Sequence, residues 1–198
     1  QHYVVFIAVG LIPFQWFRQS VNGATGVLTG NGRLISSISL PREMYPLAFV
    51  LMKTIEFLIT LPIVVALALA YGLHPNSNAI YLPLAFIIEL VMITGLALLL
   101  SSLNTLFKDI DRALGVVMRL LFYLTPVLYP TSRLHGKIRE IYNLNPMVGI
   151  IDMHRSVWFP KTVVSPHVIL ISAIGAIVAF VAGWATFIRV EPSVLKEL

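Results

Sequence analysis

The sequence predicts an all-α integral membrane protein with about five transmembrane helices, and three observations predict it. Hydrophobic residues make up 58% of the 198 and charged ones 12%, against about 45–50% and about 25% in soluble domains, so water is not the main solvent. Several runs reach the roughly 20 mostly apolar residues that a helix needs to cross about 30 Å of hydrocarbon. The basic residues stand singly between those runs instead of clustering with interleaved aromatics. The net charge of +5 therefore marks membrane flanks, and no nucleic-acid partner is expected.

The first span, 3–21, carries Pro13 and the cluster Phe14-Gln15-Trp16-Phe17-Arg18, which marks a kink or an interfacial belt in a lipid helix. Residues 22–43 turn to Gly, Ser, Thr and Asn, with Gly23, Gly26, Gly30 and Gly32, and read as a loop outside the hydrocarbon. The second span, 46–71, ends at Gly72-Leu73-His74-Pro75-Asn76-Ser77-Asn78, a turn without Lys, Arg, Asp or Glu, and forms a tight hairpin with the third span, 79–103. A short charged connector, 104–112, leads to the fourth span, 113–129. Residues 130–166 contain Arg133, Lys137, Arg139, Arg155 and Lys161, too polar to cross and too apolar for a plain linker, so short interfacial helices are expected there. The last span, 168–188, is free of charge and finishes at Arg189-Val190-Glu191-Pro192 with a short polar tail. No fixed-period repeat or low-complexity tract interrupts the chain, which reads as one transmembrane domain over 1–198.

Short loops rich in Lys and Arg stay in the cytoplasm, which places Arg33, Arg42, Lys53, Lys108, Arg112, Arg189 and Lys196 inside and the uncharged 73–78 turn outside. Alternation then puts 130–166 outside despite its five basic residues, a conflict with the simple rule. Parity decides it, because connectors on either side of each hairpin must alternate.

The absence of cysteine excludes a disulfide framework, a thiolate metal site and a thiol nucleophile. The histidines at 2, 74, 135, 154 and 167 show no i, i+4 pairing, so they read as interfacial residues and no metal site is expected. The opening Gln1-His2-Tyr3 has no starting Met and no basic n-region, so the first apolar run is not a signal peptide and further residues are expected upstream. No G-x-x-x-x-G-K-[ST] phosphate loop occurs, so any ATP hydrolysis must come from another polypeptide.

The ordered set Gly10-Leu11-Ile12-Pro13-Phe14, Leu40-Pro41-Arg42-Glu43, Asn104-Thr105-Leu106-Phe107-Lys108-Asp109, Tyr123-Leu124-Thr125-Pro126-Val127-Leu128-Tyr129-Pro130 and Asn143-Leu144-Asn145-Pro146 resembles the permeases of type-2 ABC exporters of the O-antigen, teichoic acid and polysaccharide type. Each motif alone is common; their order and spacing carry the resemblance, which covers essentially the whole chain. It implies six spans in the full-length protein, with a cytoplasmic amphipathic helix and a first span before residue 1. It also implies a bacterial cytoplasmic membrane location, a second copy of the chain, and a separate ATP-binding cassette ATPase that holds ATP and Mg. No cofactor is expected in this chain. The implied substrate is a lipid-linked glycan, carried among membrane lipid.

Residues 31–42 place Leu34, Ile35 and Ile38 at helical spacing between Arg33 and Arg42, and the resemblance makes Arg33, Leu34, Ile35, Ile38, Leu40, Pro41 and Arg42 a coupling helix against the ATPase. The spacing alone fits equally an amphipathic helix lying on the inner leaflet. Phe14, Trp16, Phe17, Phe122, Tyr123 and Tyr129 are candidates to line a sugar path, since flat aromatic faces pack on sugar C–H surfaces, although each alone fits a belt or packing role. Pro126 and Pro130 free backbone groups that lipid penalises and a protein-lined pathway tolerates. Two charges sit far from any expected membrane surface. Glu89 lies about 15 Å down its span and Arg119 about 9 Å up the next, so a buried ion pair is expected, with a site in the path as the alternative. Two other functions fit the composition: a type-2 ABC exporter of a drug, lipid or other small substrate, and an intramembrane glycan- or lipid-modifying enzyme using Asp109 and Asp111. Surface glycan distinguishes the first, and a copurifying ATPase the second.

Overall fold

A computed structural model describes residues 2–32, 40–131 and 136–197. The long apolar runs become helices: α1 (Tyr3–Thr25), then a single turn α2 (Val27–Gly30), then α3 (Met44–Ala70). A 3-10 turn (Ser77–Ile80) leads into α4 (Tyr81–Leu106), followed by α5 (Ile110–Leu124), α6 (Gly136–Asn143), α7 (Pro146–Ser156) and α8 (Pro166–Glu197). Among the described residues there is no β-strand. Four helical stretches among the described residues are long and apolar enough to cross a membrane: Tyr3–Thr25, Met44–Ala70, Ser77–Leu106 and Pro166–Val190.

The expected span at 113–129 differs. α5 has 15 residues, about 22 Å of helix, and stops at Leu124 because Thr125 is extended (φ −108, ψ 134) ahead of Pro126. The chain still reaches from one end of the bundle to the other, in two pieces: the helix, then a buried irregular turn at Thr125, Pro126 and Val127. The last apolar stretch, Pro166–Val190, agrees with the expected span, and the helix continues beyond it to Glu197.

Two ends follow from hydrogen bonds between distant residues. At one, Asn104 Nδ2 donates to Thr25 O (3.2 Å) and Asn104 Oδ1 accepts from Asp111 N (3.1 Å), joining the ends of α1 and α4 to the start of α5. At the other, Tyr3 Oη donates to Leu128 O (3.1 Å), Asn76 N to Val157 O (3.1 Å) and Asn76 Nδ2 to Ser156 O (2.8 Å). Ser156 and Val157, in the long 130–166 region, therefore lie at the same end as the uncharged 72–78 turn, as parity requires and the count of basic residues does not.

Inside the bundle, Trp16 of α1 stacks on Phe57 of α3 (centroids 4.3 Å apart) and Phe86 of α4 (5.3 Å), a three-ring joint between the helices. α4 and α8 make the most extensive helix contact. It is possible because Gly95 and Gly183 face each other: a Cβ on Gly183 would fall on Gly95 O, and one on Gly95 would fall on the backbone of Phe180. Lipid offers no hydrophobic drive for helix association, so close backbone approach at small residues carries the packing. The outward faces of α3 (Leu51, Ile55, Ile59, Ile63) and α8 (Leu170, Ile174, Val178, Val181) stay exposed, as lipid-facing surfaces do.

Candidate functional site

The irregular turn after α5 raises a question of accounting. A chain that leaves helical geometry inside a membrane protein frees carbonyls, which hydrocarbon cannot satisfy. Here Arg155, 1% exposed, satisfies them. Its Nη1 donates to Pro126 O (2.5 Å) and Tyr129 O (3.4 Å), and its Nη2 donates to Val127 O. The planar guanidinium fork suits three carbonyls of one turn as a lysine ammonium does not. Its Cζ lies 3.8 Å from the Phe6 ring centroid, a cation–π contact from α1.

Three motifs noticed in the sequence converge on this residue. Gly10 of α1 passes so close that a Cβ there would strike Arg155 Nη2 and Cζ. Thr125 to Pro130 supplies the carbonyls. Asn145 caps α7 by accepting Met147 N at its Oδ1 (3.0 Å) and holds the turn by donating through Nδ2 to Thr125 Oγ1 (3.0 Å). A fourth motif acts at the opposite end, where Asn104 makes the joint described above.

The electrostatics follow from burial. Asp152, one turn before Arg155 on α7, is 7% exposed. Burial pushes its carboxyl up to about 6, against the opposing pull of Arg155, of the Thr131 hydroxyl and of Arg139. Thr131 Oγ1 donates to Asp152 Oδ1 at 3.5 Å. Burial lowers Arg155 to about 10, with Asp152 opposing, which leaves it cationic at neutral pH. Among the described residues no carboxylate lies within ion-pair distance of Arg155. His154 is buried at 5% exposure, bonded through Nδ1 to Ile150 O (3.0 Å) and edge-on to Phe57. It is a packed residue, where an interfacial one was expected.

The expected aromatic path residues do not share one surface. Phe14, Trp16 and Phe17 lie in the core, at 0%, 4% and 3% exposure. Phe122 is half-buried, packed edge-on against Phe14 (5.4 Å) and Tyr123 (5.5 Å), while Tyr123 itself is exposed. Tyr129 is half-buried and its hydroxyl bonds that of Tyr142 (2.9 Å). The expected ion pair is not formed. Arg119 lies on the exposed face of α5 and donates to Gly115 O (3.2 Å), whereas Glu89 is wholly buried on α4 and neither carboxylate oxygen has a hydrogen-bond partner among the described residues. Among the expected coupling residues, Arg33, Leu34, Ile35 and Ile38 lie outside the described residues. Leu40 and Pro41 are exposed, and Pro41 to Glu43 form the turn that starts α3, with Met44 N bonded to Pro41 O (3.1 Å). Asp109 and Asp111 are exposed at the opposite end, with Asp109 facing Arg112 at 3.8 Å.

The model of the ABC-2 type transporter family matches residues 32–159, a stretch holding both the Asn104 joint and the Arg155 turn. The chain belongs to the ABC-2 type transporter family, as a multi-pass membrane component of a transporter rather than an enzyme. It is 29% identical over 191 residues to the O-antigen export system permease protein RfbA of Klebsiella pneumoniae, covering 96% of this chain and 73% of that protein. The protein of the same name from Myxococcus xanthus is 28% identical over 156 residues, 78% of this chain and 60% of the relative. The polysialic acid transport protein KpsM of Escherichia coli is 20% identical over 161 residues, 79% and 61%.

Proposed function

We propose that this chain is the permease of an ABC exporter that moves a lipid-linked polysaccharide or teichoic acid outward across the bacterial cytoplasmic membrane. It works as a pair of copies driven by a separate ATPase subunit that holds the ATP and Mg. The observation carrying this reading is the alignment, over 96% of the chain, with a permease named for O-antigen export. In this arrangement the Asn104 end faces the cytoplasm and the Arg155 end faces out. Residues 33–42, which follow α2 and precede α3 in the sequence, are the coupling segment that ATPase closure pushes. The exposed ring of Tyr123, backed by Phe122, is the part of the aromatic set left to meet sugar.

Deleting the gene should leave the glycan inside the cell and the surface unstained by a lectin or antiserum for it, with staining restored by the intact gene. Unchanged surface glycan in the deletion strain would point to the small-substrate exporter instead.

A further inference from the structure

Beside Arg155 lies a cavity of about 390 Å³ lined by Phe6, Thr131, Arg139, Asp152, Arg155 and Lys161, with Pro130 and Phe159 among its remaining walls. Among the described residues three cations and one acid face it, a surplus of two positive charges. Arg139 and Lys161 are exposed and reach the cavity from α6 and from the loop after α7. Among the described residues Arg155 has no carboxylate at ion-pair distance, and its Nε has no hydrogen-bond partner. A buried cation is ordinarily paired, because removing it from water is expensive. The carbonyls of the α5 turn supply dipoles, and Asp152 supplies one countercharge against the three cations of the cavity.

We propose that this cavity is a binding site for a phosphate group, held by Arg139 and Lys161 and adding to the single countercharge that Asp152 sets against three cations. Arg and Lys around an apolar wall suit a phosphodiester, whose oxygens take charge-assisted hydrogen bonds while its organic substituents rest on Phe6 and Phe159. Phosphate of this kind comes from a phospholipid headgroup at the membrane surface or from a phosphate carried by a translocated molecule. Asp152 opposes any anion in the cavity. Its burial raises its proton affinity, and the Thr131 hydrogen bond holds it to the wall, so it weakens the site without abolishing it.

The test uses the full-length protein in nanodiscs of phosphatidylcholine, with the unfolding midpoint followed as inorganic phosphate is added at constant ionic strength, and in parallel discs containing phosphatidylglycerol. A phosphate group at saturation should raise the midpoint by about 5 °C. Arg139→Gln with Lys161→Gln should abolish that rise while leaving the unliganded midpoint unchanged, since both side chains are exposed. Asp152→Asn should tighten phosphate binding about tenfold by removing the opposing charge. A rise with phosphatidylglycerol alone identifies a lipid headgroup; a rise with inorganic phosphate alone identifies a soluble or carried group, and a rise with both means that phosphate is read whatever bears it. No rise with either, an undiminished rise in the double variant, or weaker binding in Asp152→Asn overturns the proposal. These readouts need no transport, so they fail or succeed independently of what the chain exports.

Discussion

An Arg155→Leu variant loses most of its folded yield. The substitution keeps apolar volume and removes the donors of Pro126 O, Val127 O and Tyr129 O together. Each carbonyl left buried without a donor costs about 1–3 kcal/mol, so the three together cost roughly 3–9 kcal/mol, a large share of the 5–15 kcal/mol that typically separates folded from unfolded protein. Arg155→Lys keeps the charge but loses the fork, so its loss should be intermediate. Monodisperse yield on size exclusion and the unfolding midpoint both report it. A variant that elutes and melts like the parent would mean that the turn after α5 does not depend on this residue.

Gly183→Val should be as damaging, through packing instead of polarity. The added Cβ meets Gly95 O, a backbone atom in the middle of α4, so no side-chain rotation relieves it and the two helices must separate along their contact. Gly115→Ala is the matched control. That glycine is also helical, but nothing lies within 4 Å of a Cβ added there, and alanine should be neutral or stabilise by up to about 1 kcal/mol. Equal midpoints for the two variants would contradict the close α4–α8 crossing.

What the sequence could and could not carry follows from the range of each interaction. Span positions depend on local hydropathy, and 46–71 and 79–103 fall within a few residues of α3 and α4. The break in the fourth span had a local signal in Pro126, and the α7 cap had one in Asn145-Pro146. Their purpose had none, because Gly10 and Arg155, or Thr125 and Asn145, meet only in three dimensions. Arg155 stood in the sequence as one of five basic residues in an interfacial stretch; that it lies inside a run otherwise rich in Met, Val and Ile was the available hint. Direction around a helix was the other loss. α1 is apolar on most sides, so nothing in its pattern tells that Phe14 and Trp16 point into the core. The depths of Glu89 and Arg119 were close, yet α5 turns Arg119 away from α4 while Leu114 and Met118 form its buried face.

The measurement that bears most directly on the central claim, a permease driven by a separate ATPase, is purification of the full-length protein in mild detergent from its native membrane. One ATP-binding cassette ATPase should come down with it in equal amount and hydrolyse ATP in the complex. A pure, monodisperse, folded protein with no such ATPase at any stage would contradict it.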